Sequence, residues 1–290
     1  MKKIIILIPI FNDWESLKKL ISEINENIKD FREILVDCFI VNDASTISQP
    51  KLVKPENINS IKILNMIKNQ GHARCNAFGI RYINNNEKFD GLILMDGDGE
   101  DRPVELKDLI ISIIKNPLNS VVAKRIKRSE GFFFKFLYNI HKFITYIYTG
   151  KKINFGNYSC LIKKDTNTLS SKASLWSSYS GSVKKHIESY TEIDSIRGKR
   201  YFGPSKMSFF KLIIHSFSII AVFKYQVLFR SLIFILILNY FNSDSDHFLI
   251  LAQLLILLFY LIIFLVSLRE KKDDLIKSEE NLKDIKEITH

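Results

Sequence analysis

Asp96 and Asp98 stand one residue apart behind the apolar run Gly91-Leu92-Ile93-Leu94-Met95. Two carboxylates so spaced at a strand end can face one hard cation. A Mg²⁺ or Mn²⁺ held this way also takes phosphate oxygens of a substrate. Gly97 between them removes a side chain where a ligand approaches. An Asp-Gly turn between strands explains the same residues without chemistry. A helix–loop–helix calcium site does not. Starting at Asp96, it requires Gly where Asp101 stands and Glu where Lys107 stands. The sequence offers phosphates no other obvious cradle. It has neither a G-x-x-x-x-G-K-[ST] loop nor G-x-G-x-x-G behind its first strand.

The elements that must position this pair alternate strand and helix through the first half. Residues 4–8 form an apolar run ending at Pro9. Leu17, Leu20, Ile21, Ile24 and Ile28 then share one helix face, with Asn12 or Asp13 as the cap. Residues 34–41 read as a second strand, ending in Asn42-Asp43-Ala44-Ser45. Residues 61–66 read as a third, followed by Lys68-Asn69-Gln70-Gly71 and a helix from His72. Residues 92–95 are the fourth, and Pro103 opens the next helix. Residues 121–123 are a short fifth. Polar residues collect where each strand ends, the edge where open α/β sheets bind ligands. An aromatic helix is expected over 132–148 and a further strand around 154–162.

The chain has 290 residues, enough for one α/β domain and additional elements. Its charge of +11, from 42 Lys and Arg against 31 Asp and Glu, suits an anionic partner. Cys38, Cys75 and Cys160 lack metal-ligand spacing and read as free thiols in a reducing compartment. The start, Met1-Lys2-Lys3 and an apolar run, has the flavour of a signal peptide. Pro9, Asn12 and Asp13 follow at once without a small-residue cleavage site, so a buried parallel strand is the better reading.

From about residue 213 the composition turns apolar. Residues 248–268 carry no charge, and this run is long enough to cross a hydrocarbon core of about 30 Å. Residues 225–241 make a second candidate span, with Arg230 snorkelling to the interface. The link between them, Asn242-Ser243-Asp244-Ser245-Asp246, lacks Lys and Arg, while Lys224, Arg269, Lys271 and Lys272 flank the outer ends. Both ends are then cytoplasmic and the link faces out. A pair of buried core helices is the alternative. The tail from residue 269 reads as a charged helix, solvated or facing a second copy, with Leu275, Leu282 and Ile285 as its stripe.

In order along the chain stand Ile8-Pro9-Ile10-Phe11-Asn12-Asp13, Val41-Asn42-Asp43-Ala44-Ser45, Asn69-Gln70-Gly71 through Ala77, and Met95-Asp96-Gly97-Asp98-Gly99-Glu100-Asp101-Arg102-Pro103. Arg125 and Arg128 follow, then Arg200-Tyr201-Phe202-Gly203-Pro204-Ser205-Lys206-Met207-Ser208. This series resembles the family 2 glycosyltransferases, most closely their polyprenyl-phosphate branch, to which the dolichyl-phosphate mannose synthases belong. The resemblance covers residues 4 to about 215. It implies a GT-A fold, a mostly parallel sheet flanked by helices, here followed by a C-terminal transmembrane hairpin. It further implies a nucleotide-sugar donor, inversion at the anomeric carbon, Mg²⁺ or Mn²⁺, and polyprenyl phosphate as acceptor. The expected division is residues 1–212 as the transferase domain, 213–268 as a juxtamembrane helix and two spans, and 269–290 as a cytoplasmic tail.

Under that resemblance Asp96 and Asp98 hold the metal, with Glu100 as a third ligand or a solvated loop residue. Pro9, Phe11, Asp13, Asp43, Asn69 and Gly71 belong to the donor site. Asp13 and Asp43 also suit plain helix caps. Arg125, Arg128, Arg200, Ser205 and Lys206 either clamp the acceptor's phosphate or present surface charge to anionic lipid. Two departures stand out. Asn42 replaces the first Asp of the second-strand motif, and Asn157 replaces an Asp in Gly156-Asn157-Tyr158-Ser159-Cys160. Asn157 cannot be a base, which favours an acceptor that is already anionic. A hydroxyl acceptor would need Glu188, Glu192 or Asp194 instead. Membrane lipids and a second copy of the chain complete the expected partners. No nucleic-acid motif accompanies the basic charge.

Overall fold

The structure is a computed structural model, and it describes residues 1–127, 132–204, 208–241 and 247–288. Arg128, Ser205 and Lys206 lie outside the described residues. The chain opens with β1 (Lys2–Ile10), α1 (Trp14–Ile28), β2 (Ile34–Asn42), β3 (Ser60–Met66), α2 (His72–Asn86) and β4 (Gly91–Leu94). A 3-10 turn at Pro103–Glu105 leads into α3 (Leu106–Lys115). Then come β5 (Ser120–Lys127), α4 (Phe132–Thr149), β6 (Phe155–Ile162), α5 (Lys163–Ser170), α6 (Tyr179–His186) and β7 (Tyr190–Ile196). The C-terminal part holds α7 (Phe209–Ala221), α8 (Lys224–Phe241), α9 (His247–Ser267), α10 (Lys272–Ile276) and β8 (Leu282–Ile288).

These strands form one sheet in the order β7-β5-β6-β4-β1-β2-β3-β8. The central strands β3, β2, β1 and β4 run parallel, while β6 and β8 are antiparallel to their neighbours. Period-two alternation makes β1 the spine. Ile4, Ile6, Ile8 and Ile10 pack with α1 and α3 on one face. Ile5 and Leu7 pack with α2 and with Leu169, Tyr179 and Val183 on the other. A strand covered on both faces has no polar side to show, which is why residues 4–8 read as a continuous apolar run.

Three local expectations are corrected. Asp13 occupies the N-cap of α1 but makes no side-chain cap bond. Asn12, at φ 54°, reaches the other way, and its Oδ1 accepts the N–H groups of Thr46 and Ile47. A Cβ at Gly97 would lie 2.8 Å from Ile10 Cγ2 and 3.1 Å from the Pro9 carbonyl oxygen. That glycine lets the acidic loop pack on the end of β1, not a ligand on the loop. Finally, the C-terminal tail is no long helix. Leu275 of the short α10 is fully buried against the α2 face of the sheet. Residues 282–288 then pair antiparallel with β3 and become the sheet's last strand.

Among the described helices, α9 alone is long and apolar enough to cross a bilayer. Only its Leu249, Ile263 and Ser267 are buried, so it is no core helix. α8 reaches that length only with α7, from which it bends by 84°. Tyr148 of α4 packs edge-on to Phe234 of α8, 5.4 Å between centroids, and also contacts Phe259 of α9. Arg230 is turned inward. Its Nη1 donates to the Ile147 carbonyl at 2.7 Å, satisfying an open acceptor at the end of α4.

Candidate functional site

β4 delivers the acidic loop to the carboxyl edge of the sheet. Met95 N–H still donates to Leu7, continuing the β1 pairing, and the chain then curls. Asp96 N–H donates to Asp101 Oδ2 at 3.0 Å, and Glu100 N–H donates to Asp98 Oδ1 at 3.0 Å. The loop thus uses its own carboxylates to satisfy its own amides, which fixes Asp96 and Asp98 as neighbours. Burial and the charge of Asp96 both raise the pKa of Asp98. The same two causes push Asp101 up to about 7.

Positive charge is supplied by the segment after β7. Gly198 N–H donates to the Glu100 carbonyl at 2.8 Å, and Tyr201 N–H to the Asp98 carbonyl at 2.9 Å. Docked this way, Arg197 pairs with Glu100, and Arg200 pairs with both Asp98, at 2.7 Å, and Asp13. The expected metal ligand Glu100 therefore faces Arg197. Arg200, expected beside the acceptor, bridges two acidic residues of the donor and metal side. Arg125 approaches from β5, its guanidinium lying over Gly156, where a Cβ would be 2.4 Å away.

His72, the first residue of α2, was not singled out in the sequence. Its Nε2 lies 3.2 Å from Asp96 Oδ1, 2.7 Å from Asn157 Nδ2 and 3.2 Å from Asn76 Nδ2. One proton decides the pattern: Nε2–H donates to Asp96, whereas bare Nε2 accepts from an amide. Burial opposes the charged ring, but Asp96 outweighs it and raises the His72 pKa. Burial also opposes ionisation of Asp96, yet His72, Arg197 and Arg125 hold its carboxyl well below the usual range. Asn157 Nδ2 is a further 3.2 Å contact to Asp96 Oδ1. A third carboxylate at 157 would repel Asp96, and the amide donates to it instead. The position of His72 directly behind Gly71 was the available signal.

The donor-site residues gather one strand over. Asp43 is buried, and its two oxygens accept Gln70 N–H at 2.7 Å and Gly71 N–H at 2.8 Å. It satisfies amides at the start of α2 from across the sheet, not at a helix following β2. Asn69 Nδ2 donates to the Asp43 carbonyl at 3.1 Å. Gly71 adopts φ +87° with nothing near its missing Cβ, so this turn requires glycine for its backbone alone. Pro9 is buried in β1 beside Val41, and Phe11 is exposed just beyond. Of the candidate bases for a hydroxyl acceptor, Glu192 pairs with Lys124 at 3.6 Å. Asp194 lines a groove with Lys115 and Asn116 at the far end of α3.

The donor set fits a divalent cation shared with a substrate. Both carboxylates are hard oxygen donors. No group of three or more His, Cys, Asp or Glu among the described residues is arranged to hold a metal alone. Such a half-site suits Mg²⁺ or Mn²⁺, which keep positions for phosphate and water.

An α/β sheet with an acidic pair at its carboxyl edge is the frame of the GT-A fold. The family model for Glycosyl transferase family 2 matches residues 5–178, more than half of the chain, and the chain belongs to that family. Among curated relatives, the undecaprenyl-phosphate 4-deoxy-4-formamido-L-arabinose transferase of Photorhabdus laumondii is 25% identical over 221 residues, covering 73% of this chain. That of Salmonella choleraesuis is 26% identical over 225 residues, again 73% of this chain. The match spans 65% of the length of each relative. A crystal structure of glucosyl-3-phosphoglycerate synthase from Mycobacterium tuberculosis with Mn²⁺, UDP and phosphoglyceric acid has a TM-score of 0.52 at 10% identity, covering 78% of each chain. Mannosyl-3-phosphoglycerate synthase from Rubrobacter xylanophilus has a TM-score of 0.50 at 10% identity, covering 76% of this chain and 72% of that one. At such identity the likeness is one of fold.

Proposed function

We propose that this chain is a membrane-anchored, inverting glycosyltransferase that moves a sugar from a nucleotide donor to polyprenyl phosphate. The observation that carries the reading is the acidic pair faced by Arg125, Arg197 and Arg200. His215 of α7 lies within electrostatic reach of His72, Arg125 and Asp96. An acceptor rooted in a bilayer can rise only a little, so its site must adjoin the membrane part.

Asp96 and Asp98 would hold a divalent cation, which neutralises the departing diphosphate. The remaining chemistry is undemanding. An oxygen of the acceptor phosphate attacks the anomeric carbon as the bond to the diphosphate breaks, and the configuration inverts. The acceptor is anionic at neutral pH, so no base is needed, and Asn157 offers none. Asp13, Asp43, Asn69, Gly71, Pro9 and Phe11 frame the nucleoside and diphosphate. Arg125, Arg128, Ser205 and Lys206 receive the acceptor phosphate. Arg200 exchanges Asp98 for a phosphate oxygen, since each pairing is a charge-assisted hydrogen bond. The named relatives act on undecaprenyl phosphate by their names, which supports the same acceptor class here. The Mn²⁺ in the fold neighbour supports the metal.

β8 supports the topology. It shares a sheet with β1 to β7, so the chain between residues 212 and 272 crosses any membrane an even number of times. Exposed Phe136, Phe143 and Tyr146 of α4 suit an aromatic face at headgroup level. Ser243→Cys should react with an impermeant maleimide added outside sealed cells, and Lys277→Cys only after lysis. The native cysteines are buried and add no background. Equal reaction at both sites contradicts the hairpin.

The activity itself is tested with a panel of radiolabelled nucleotide sugars, Mn²⁺ and polyprenyl phosphate. Label from one donor should enter the organic phase. Label that stays aqueous with every donor overturns the reading.

A further inference from the structure

Residues 197–202 leave β7 and lie across the acidic loop as a strap. Gly198 N–H and Tyr201 N–H bond the carbonyls of Glu100 and Asp98, so the two backbones touch. Glycines make this approach possible. A Cβ at Gly198 would lie 2.8 Å from the Gly99 carbonyl oxygen, and one at Gly99 would run into the Tyr201 ring. Asp98 Oδ1 accepts Glu100 N–H and Asp98 Oδ2 accepts Arg200 Nη1, so both of its oxygens are engaged while the strap is down. Arg200 also pairs with Asp13, and its Nε donates to the Phe202 carbonyl at 3.1 Å. The strap's own backbone thus sets where the guanidinium points.

What holds the strap down lies on α1. Tyr201 Oη donates to Glu23 Oε2 at 2.6 Å, and Lys19 Nζ covers the same ring at 4.4 Å from its centre. Lys19 also stands 3.9 Å from Glu23. Beside this contact the strap is not close-packed. Glu23, Asn27, Arg102, Gly198 and Tyr201 line an open groove of about 270 Å³. A segment held by a few polar contacts at the rim of a groove opens readily. A cation and Arg200 compete for Asp98 Oδ2, so the state of the strap decides how well the pair takes a metal.

We propose that residues 197–202 are an autoinhibitory strap over the metal pair, and that Tyr201, held by Glu23, is its latch. Closed, the strap lends Arg200 to Asp98. Open, it frees the carboxylate, and only the open fraction binds a cation. The cation site therefore stays weak until a phosphate gives Arg200 another anion. This rests on the metal reading above.

The test is Mn²⁺ calorimetry of the full chain in detergent without donor. Tyr201→Phe removes one hydrogen bond but keeps the ring on Gly99 and under Lys19. Mn²⁺ affinity should rise about fivefold, the contribution of one net hydrogen bond, while Tm stays near the wild-type value. Glu23→Ala removes the same bond from the α1 side and should give the same rise, and the double variant should add nothing further. Hydrogen exchange of the peptide carrying residues 198–202 gives the second reading. It should be slow in the wild type, and faster in Tyr201→Phe or when Mn²⁺ is added. A strap that merely shapes the acidic loop gives the opposite signs: the latch variants bind Mn²⁺ less tightly, and the metal slows exchange. Either of those results, or an affinity that the variants leave unchanged, overturns the latch while leaving the metal reading intact. A wild type and variants that all fail to bind Mn²⁺ overturn both.

Discussion

Asp98→Ala should lower sugar transfer by about a thousandfold or more, because charge neutralisation at a leaving diphosphate contributes several kcal/mol to the barrier. The variant should remain folded and membrane-bound. Asp96 and Asp98 crowd one another, and crowding raises the Asp98 pKa. Removing one carboxylate therefore relieves repulsion, although Arg200 loses a partner at 2.7 Å. Thermal unfolding within a few degrees of wild type, with the chelator-treated wild type equally inactive, is the expected pattern. Full transfer by this variant, or in excess chelator, contradicts the metal assignment.

Arg200→Ala should split two measurements that usually move together. The guanidinium bridges Asp98 and Asp13, so it competes with any cation for Asp98. Without it, Mn²⁺ affinity in the absence of donor should rise about tenfold, the lower end for a charge-assisted pair. Transfer should fall by about ten- to a hundredfold, because a phosphate loses its arginine. Mn²⁺ binding is read by calorimetry and transfer by initial rates at saturating donor. A fall in Mn²⁺ affinity would mean that Arg200 organises the acidic loop and holds no place that the cation takes.

Both results depend on contacts that the sequence disclosed unevenly. The central strands were legible because burial on both faces leaves an apolar run bounded by Pro9, Asn42 and Asp96. The acidic pair was legible because strand-end spacing is local. Arg200 was found through its motif, but its partners lie 102 and 187 residues away and follow from the docking of Gly198 and Tyr201 onto the acidic loop. β7 passed unnoticed because its residues, Tyr190 to Ile196, are half-exposed or exposed apart from Ser195 and carry little apolar alternation.

The tail misled for a clear reason. Leu275, Leu282 and Ile285 fit a helical stripe, and the charges between them suit a solvated helix. In the fold, Leu275 fills the core with Leu282 packed against it, and residues 282–288 are held by backbone pairing to β3. An edge strand of this kind draws its stability from a distant partner more than from its own pattern. Asn42 seemed only a departure from the family motif. In the fold its amide bridges Asn65 and the backbone of Ser45. Arg230 likewise suggested an interface because arginine is costly in an apolar helix. A carbonyl at the end of α4 supplied the partner instead.

The central claim is that the acceptor is a phosphate and not an alcohol. Purified protein in detergent, given its nucleotide sugar and Mn²⁺, is offered polyprenyl phosphate and the matching free polyprenol in equal amounts, and the lipid extract is weighed by mass spectrometry. One glycosyl unit should be added to the phosphate alone, with the polyprenol untouched. Glycosylated polyprenol, or a glycosylated saccharide when one is added alongside, would contradict the account.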